Sequence, residues 1–253
     1  MPSIFVYNNI NIFKRGKKVA ETSIYKIHQY HKDEGFVEKD DLIINEEEFR
    51  LIIDGEYYAS YCATPSMIKE LVIGNLAINN IIKQASDITF TNISAGLVEA
   101  TFNKKEVIAE EKLNRKESTE IKVAADNILD LMNTHLDSSP LHKSTGGTHV
   151  ISLADETGLI YSCQDIGRHN AIDKLYGYLL INNISASDKI LFSSGRITKE
   201  MCEKAIKIGT KIVVSRATVS NLAIDLAIEN NITLIGFTRV TRFNLYSHPE
   251  RII

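Results

Sequence analysis

Cysteine is scarce in this chain, and what there is does not pair up. Cys62, Cys163 and Cys202 form an odd set, spaced 101 and 39 residues apart. They outline no disulfide framework, and no CxxC pair exists for zinc or dithiol redox chemistry. Proline numbers 4 and tryptophan is absent. Runs of about 18 apolar residues are missing too, so the sequence offers no membrane-spanning helix. The opening segment MPSIFVYNNINIFKRGKK sets its basic residues after the apolar ones. That order is the reverse of a secretory signal, and the expectation is a cytoplasmic protein. An excess of one charge is also lacking: Lys and Arg total 29, Asp and Glu 32, for a net −3. General attraction to nucleic acid or to an anionic membrane is thereby excluded. Neither G-x-x-x-x-G-K-[ST] nor G-x-G-x-x-G occurs, so a P-loop and the usual dinucleotide fold are unsupported.

What is present is ordinary globular material. The 253 residues are 44% hydrophobic and 24% charged. At about 150 residues per domain this length gives one to two domains, and such a chain buries roughly 70–75% of its unfolded surface. The first third reads as antiparallel. RLIIDGEYYASY (50–61) holds an Asp54-Gly55 pair between β-favouring runs, a hairpin signal because a type I′ turn needs positive φ at both central residues. Thr64-Pro65 reads as the cap and first residue of a helix carrying Met67, Ile68, Leu71, Val72 and Leu76. DITFTNIS and GLVEATFN look like two more strands. Ten of the seventeen residues in 104–120 are charged, which marks a solvated linker or exposed helix and the expected boundary between a region 1–120 and a region 121–253. A helix with the stripe Ile121, Ala124, Ala125, Ile128, Leu131, Met132 and Leu136 follows, ended by Ser138-Ser139-Pro140.

From Thr145 the chain alternates strand and helix. THVISL and GLIYSC suggest a hairpin across 155–157, then a helix from about Arg168 to Ile181. KILFSS, TKIVVS and ITLIGF are short apolar strands separated by helices, the mark of right-handed crossovers and a largely parallel sheet. Ligands of open α/β sheets bind at the carboxyl ends of parallel strands. Those ends deliver Arg168 and His169, then Ser194, Gly195 and Arg196, then Arg216, then Thr238, Arg239 and Arg242. Five of nine arginines, in a chain with twenty lysines, thus fall on one expected rim. Arginine offers a planar fork matched to phosphate and carboxylate, so the ligand class indicated is a polyanion of defined geometry. Helix starts near Arg168, Ile197 and Ala217 add N-terminal dipoles at the same edge. The alternative is that each arginine caps a carbonyl or pairs with an acid such as Asp165 or Asp225. Gly146, Gly147 and Gly195 permit close backbone approach. His149 and His169 lie beside these motifs; without further ligands at metal spacing, hydrogen bonding suits them better than zinc, and the deaminase signature H-x-E…P-C-x-x-C is absent. An Asp165–His169 acid–base pair is a further possibility, with Ser194 or Cys163 as nucleophile. Cys163 ends an expected strand and is the weak catalytic candidate, against an inert buried thiol.

TGGTHVISL (145–153), QDIGRHNAIDKLYG (164–177), SSGRITKEM (193–201) and GFTRVTRFNLYSHPERI (236–252) closely resemble the FdhD/NarQ family of formate dehydrogenase accessory proteins. The resemblance implies a cytidine-deaminase-like three-layer α/β domain without the deaminase zinc, plus a smaller N-terminal α+β domain. It implies cytoplasmic action in molybdenum cofactor maturation, passing sulfur from a cysteine desulfurase to the bis-guanine-dinucleotide cofactor destined for formate dehydrogenase. A guanine nucleotide serves as a surrogate for that ligand, and the expected assembly is a homodimer. By the same resemblance Phe237, Thr238, Arg239, Val240, Thr241 and Arg242 contact the cofactor. Two departures stand out. The family's cysteine-bearing loop corresponds to 104–120, which holds no cysteine. Sulfur relay needs a thiolate, and Ser118 or Thr119 cannot supply one. RATVSNLA (216–223) also lacks the family's Ser-Ala-Pro-Thr sequence. A module that holds the cofactor without sulfur transfer is the alternative to a sulfur carrier; an unrelated hydrolase is the third reading.

Overall fold

A computed structural model describes residues 20–103 and 121–253; the charged stretch 104–120 lies outside the described residues. The chain opens with a two-stranded ribbon that the sequence patterns did not single out, β1 (Thr22–His31) and β2 (Gly35–Ile44). The hairpin expected at Asp54-Gly55 follows as β3 (Glu47–Ile53) and β4 (Glu56–Ala63). Its turn has φ 53° at Asp54 and 86° at Gly55, the paired positive values that such a turn demands. After α1 (Ile68–Ile78) come β5 (Ile88–Ser94) and β6 (Leu97–Phe102), giving a four-stranded sheet in the order β4-β3-β6-β5. The first third is not wholly antiparallel, since β3 and β6 pair in parallel. Nor does Thr64 cap a helix. The chain turns through Met67 at φ 54° before α1 begins, and Thr64 is fully buried in another role.

The second half holds α2 (Ala125–Asp137), α3 (Pro140–Thr145), β7 (His149–Asp155), β8 (Gly158–Asp165), α4 (Arg168–Ile181), β9 (Ile190–Ser193), α5 (Lys199–Ile208), β10 (Ile212–Ser215), α6 (Asn221–Glu229), β11 (Thr233–Gly236) and β12 (Asn244–Ser247). Ser139 Oγ accepts from His142 N at 3.0 Å, Pro140 takes the first helical position, and Gly146 at φ 63° ends α3. The sheet order is β12-β11-β10-β9-β7-β8. It is mixed rather than mostly parallel. Only β9, β10 and β11 pair in parallel; β7 is antiparallel to both β8 and β9, and β12 to β11. The cause is the β7–β8 hairpin, which reverses the chain once before α4 carries it over β7 to β9.

Central strands are apolar on both faces, as strands covered on both sides must be. Leu191, Val213 and Leu234 pack under α4, α5 and α6, while Phe192, Val214 and Ile235 meet Ile128, Leu131 and Met132 of α2. The four-stranded sheet packs its own inner face on α1 through Leu51, Leu71, Leu76 and Val98. Helix α1 then lies directly on α4. An ideal Cβ on Gly74 would sit 1.8 Å from the Asp173 carbonyl oxygen, and one on Gly177 1.9 Å from that of Glu70. Backbone meets backbone there, which only glycine permits.

Candidate anion-binding site

Strands β8, β9, β10 and β11 run the same way, so Asp165, Ser193, Ser215 and Gly236 share one sheet edge. Strand β7 runs against them and brings its first residue, His149, opposite Asp165 at that edge. Here a cavity of about 590 Å³ opens, lined by Leu136, His142, Gly146, Gly147, Thr148, His149, Ile166, Ser194, Arg216, Ala217 and Arg239. Gly146, Gly147, His149, Ser194, Arg216 and Arg239 were expected from the sequence. His142, Thr148 and Ile166 were not; a histidine one short helix upstream of the Gly-Gly pair was the available signal for the first.

Half-buried His149 stands at the centre. Its Nδ1 lies 3.5 Å from Ser194 Oγ, while Val150 N donates to that hydroxyl at 2.9 Å. A Cβ on Gly195 would come within 3.0 Å of His149 Nδ1 and 3.5 Å of Arg168 Cδ, so this glycine lets the imidazole and the arginine stem rest on the backbone. Burial lowers the His149 pKa, and the positive field of Arg168, His142 and Arg196 lowers it further. The ring is therefore neutral at neutral pH, and the nearby charge is guanidinium.

Arg216 donates to the Thr238 carbonyl at 3.1 Å. Arg239 Nη1 donates to the same carbonyl at 3.0 Å and also to that of Arg216. The guanidinium stands over the Phe237 ring, 5.9 Å from its centroid. Carbonyl capping, the alternative considered for the arginines, thus holds for two of them, and it fixes their direction while using only part of each fork. Ion pairing does not hold. Among the described residues none of Arg168, Arg196, Arg216, Arg239 and Arg242 pairs with a carboxylate. Arg168 Nε, Thr148 Oγ1 and Thr238 Oγ1 are buried polar atoms with no partner, and burying such groups unpaired is costly unless a ligand completes them.

The remaining expected residues fall elsewhere. His169 does not line the cavity; its Nε2 lies 3.4 Å from Glu200 Oε2. Val240, Thr241 and Arg242 are exposed on the turn closed by Arg239 N to Arg242 O at 2.7 Å. Asp165 is not an acid–base partner of His169. It is buried, 2.6 Å from Lys174 Nζ, and accepts from Thr64 N and Oγ1, Gly167 N and Asn170 Nδ2. Cys163 is buried and its thiol pKa pushed far up by desolvation; Cys202 is buried with its pKa pushed up to about 11. Neither is a thiolate at neutral pH. Cys62, at the end of β4, is exposed, and its carbonyl accepts from Asn170 at 2.7 Å.

The FdhD/NarQ family model matches residues 92–253. A protein named sulfur carrier protein FdhD from Bacillus pumilus (strain SAFR-032) is 35% identical over 89% of this chain and 95% of its own length. The chain belongs to the FdhD/NarQ family. Another relative of the same name, from Bacillus subtilis (strain 168), is also 35% identical, over 91% of this chain and 97% of its own. A crystal structure described as a formate dehydrogenase accessory protein from Desulfotalea psychrophila superposes with a TM-score of 0.80 at 27% identity, covering 92% of this chain and all of that one. As an FdhD/NarQ member the chain has a mixed α/β fold, and no helix among its described residues is long and apolar enough to cross a membrane.

Behind the cavity wall, His135 is buried with Nδ1 2.6 Å from Ser152 Oγ, and desolvation lowers its pKa to about 3. The unfolded chain therefore binds a proton that the folded chain refuses between about pH 6.5 and 3. Stability is expected to fall as pH drops through that window. His135→Gln flattens this slope in urea titrations at pH 7 and 4; an unchanged slope rules His135 out as its source.

Proposed function

We propose that this chain serves formate dehydrogenase maturation by holding the bis-guanine-dinucleotide molybdenum cofactor as cargo, gripping one phosphate-bearing arm in the His149–Arg216–Arg239 cavity. In this reading it keeps the cytidine-deaminase-like, zinc-free architecture implied by its family and acts in the cytoplasm between a cysteine desulfurase and formate dehydrogenase. The observation that carries it is the cluster of arginines without carboxylate partners around unpartnered buried donors. A cavity of about 590 Å³ lies within the usual range for small-molecule sites, roughly 300–1,000 Å³, which suits one arm of so large a ligand.

GDP is the probe. Arg216→Ala and Arg239→Ala are each expected to weaken its binding by about 1–3 kcal/mol, the range for a lost charge-assisted bond. Arg242→Ala, on the exposed turn, is expected to cost less than about 1 kcal/mol. Affinity rises as pH falls, because a bound phosphate favours protonated His149. Calorimetric titration in which Arg216→Ala and Arg239→Ala both match the parent chain discards this placement.

A second reading, that the chain also carries sulfur as its relatives' name states, is favoured by one observation: Cys62 is exposed whereas Cys163 and Cys202 are buried. Incubation with a cysteine desulfurase and cysteine separates the two by intact mass. A gain of one sulfur lost in Cys62→Ser supports carriage; retained GDP binding with no gain supports holding alone.

A further inference from the structure

One stretch of the cavity rim has little of its own to hold it still. The chain leaves α3 at Thr145 and passes through Gly146, Gly147 and Thr148 before β7 begins, and the last three all line the cavity. Two adjacent glycines leave a backbone unusually free. The same stretch carries parts of the site. Thr148 is buried with its Oγ1 unpartnered, and its carbonyl accepts from His142 Nδ1, so its position also sets where His142 stands.

Three hydrogen bonds tie the stretch back to the helix it leaves. Gly146 N donates to His142 O at 2.8 Å, Gly147 N to Thr145 Oγ1 at 3.1 Å, and Thr145 Oγ1 to Leu141 O at 2.7 Å. Support from a different part of the fold comes from Ile44, the last residue of β2. An ideal Cβ on Gly147 would stand 3.0 Å from Ile44 Cγ2 and 3.6 Å from Ile44 Cβ. The branch of the isoleucine therefore fills the place that a side chain at 147 would take. Ile44 is itself held. It lies opposite Thr22 in the ribbon, and the next residue, Asn45, donates from N to Glu21 O and from Nδ2 to Ala20 O, both at 2.8 Å. An isoleucine is stiff at χ1, because two heavy atoms crowd its Cβ. A fixed backbone at 44 thus fixes the methyl.

We propose that Ile44 is a positioning residue of the cavity: its γ-methyl group, reaching over from the N-terminal ribbon, braces Gly147 and so holds Thr148 and His142 where the anion is gripped. This role rests on the anion-holding reading of the cavity. Without the methyl the glycine pair samples more conformations, and a ligand must order it again on binding. Ordering one backbone residue corresponds to a factor of about five to thirty in an equilibrium constant.

The substitutions separate the brace from mere apolar bulk. Ile44→Val keeps Cβ and the methyl that touch Gly147 and is expected to bind GDP like the parent. Ile44→Leu keeps the size but moves the branch one carbon outward, and Ile44→Ala removes it. Both are expected to bind GDP at least about fivefold more weakly in calorimetric titration, with circular dichroism confirming that each variant is folded. Adding Gly147→Ala to Ile44→Ala restores the contact from the other side. The new methyl lies 3.6 Å from the Cβ at position 44, and Gly147, unlike Gly146, has no positive φ to oppose it. This double variant is expected to bind GDP more tightly than Ile44→Ala alone. Amide hydrogen exchange at Gly147 and Thr148, measured without ligand, reads the brace independently of GDP. It should be faster in Ile44→Ala and Ile44→Leu and slow again in the double variant. If the parent fails to bind GDP while exchange follows this pattern, the anion-holding reading falls and the brace stands. Exchange and GDP affinity unchanged in Ile44→Ala and Ile44→Leu, or a double variant no better than Ile44→Ala by either measure, overturns the proposal.

Discussion

Gly177→Ala is expected to destabilise the chain by about 3 kcal/mol or more, at the upper end for overpacking and beyond it if the helices cannot part. The added methyl has nowhere to go: its ideal position is 1.9 Å from the Glu70 carbonyl oxygen and 2.6 Å from the carbonyl carbon. Both are backbone atoms of α1, so no rotamer change relieves the clash, and α1 must lift off α4 along with the four-stranded sheet packed on it. Gly74→Ala meets the Asp173 backbone in the same way and is expected to cost a similar amount. The double variant should cost less than the sum, because once the helices have separated the second methyl is accommodated. Urea unfolding followed by circular dichroism measures all three. A loss under about 1 kcal/mol for both single variants means that the two helices are not in backbone contact.

Asp165→Ala is the second large effect, expected at about 3–5 kcal/mol, the range for stranding one member of a buried ion pair. Asp165 and Lys174 are both fully buried, 2.6 Å apart, and Lys174 also donates to Thr64 Oγ1 at 2.8 Å. Burial already lowers the Lys174 pKa, with Asp165 as the chief opposing influence. Removing the carboxylate leaves burial largely unopposed, and the folded chain must then hold this lysine neutral. The unfolded lysine keeps its proton below its usual pKa near 10.4, so the loss grows as pH falls from there. Asp165→Asn with Lys174→Met removes both charges and is expected to recover most of the stability. The carboxylate also holds Gly167 N and Asn170 at the start of α4, so Asp165→Ala should weaken GDP binding by displacing Arg168, and the double variant should restore it only in part. If Asp165→Ala unfolds at the parent's urea midpoint, the pair is not what holds β4 to β8.

Particular residues show how far the sequence reached. The Asp54-Gly55 turn, the helix Arg168–Ile181 and the strands ending at Ser193, Ser215 and Gly236 were legible because each rests on local chemistry: a turn that needs positive φ, a helical stripe, a short apolar run. The ribbon β1–β2 escaped notice because neither of its faces is buried by a core, so its sequence lacks the alternation that marks a half-buried strand. Thr64 looked like a helix cap because Thr-Pro so often is one, yet its partners, Asp165 and Lys174, lie about a hundred residues away. His142 was overlooked because helix α3 is a single short turn set by Ser139 and Gly146.

By itself the sequence determined the order of elements from β3 to β11 apart from α3, the supply of arginines at successive strand ends and the absence of any cysteine in 104–120. Tertiary structure alone decided that Arg216 and Arg239 line one cavity with His149, that Arg168 and Arg196 add their field at its ring, and that Arg242 stays on an exposed turn. It also decided that Asp165 serves Lys174 rather than His169, and that Gly74 and Gly177 are where two layers touch. The division follows range: hydrogen-bonded turns and amphipathic periods are written within a few neighbouring residues, whereas burial, backbone contact and the field at a side chain depend on segments the chain brings together only when it folds.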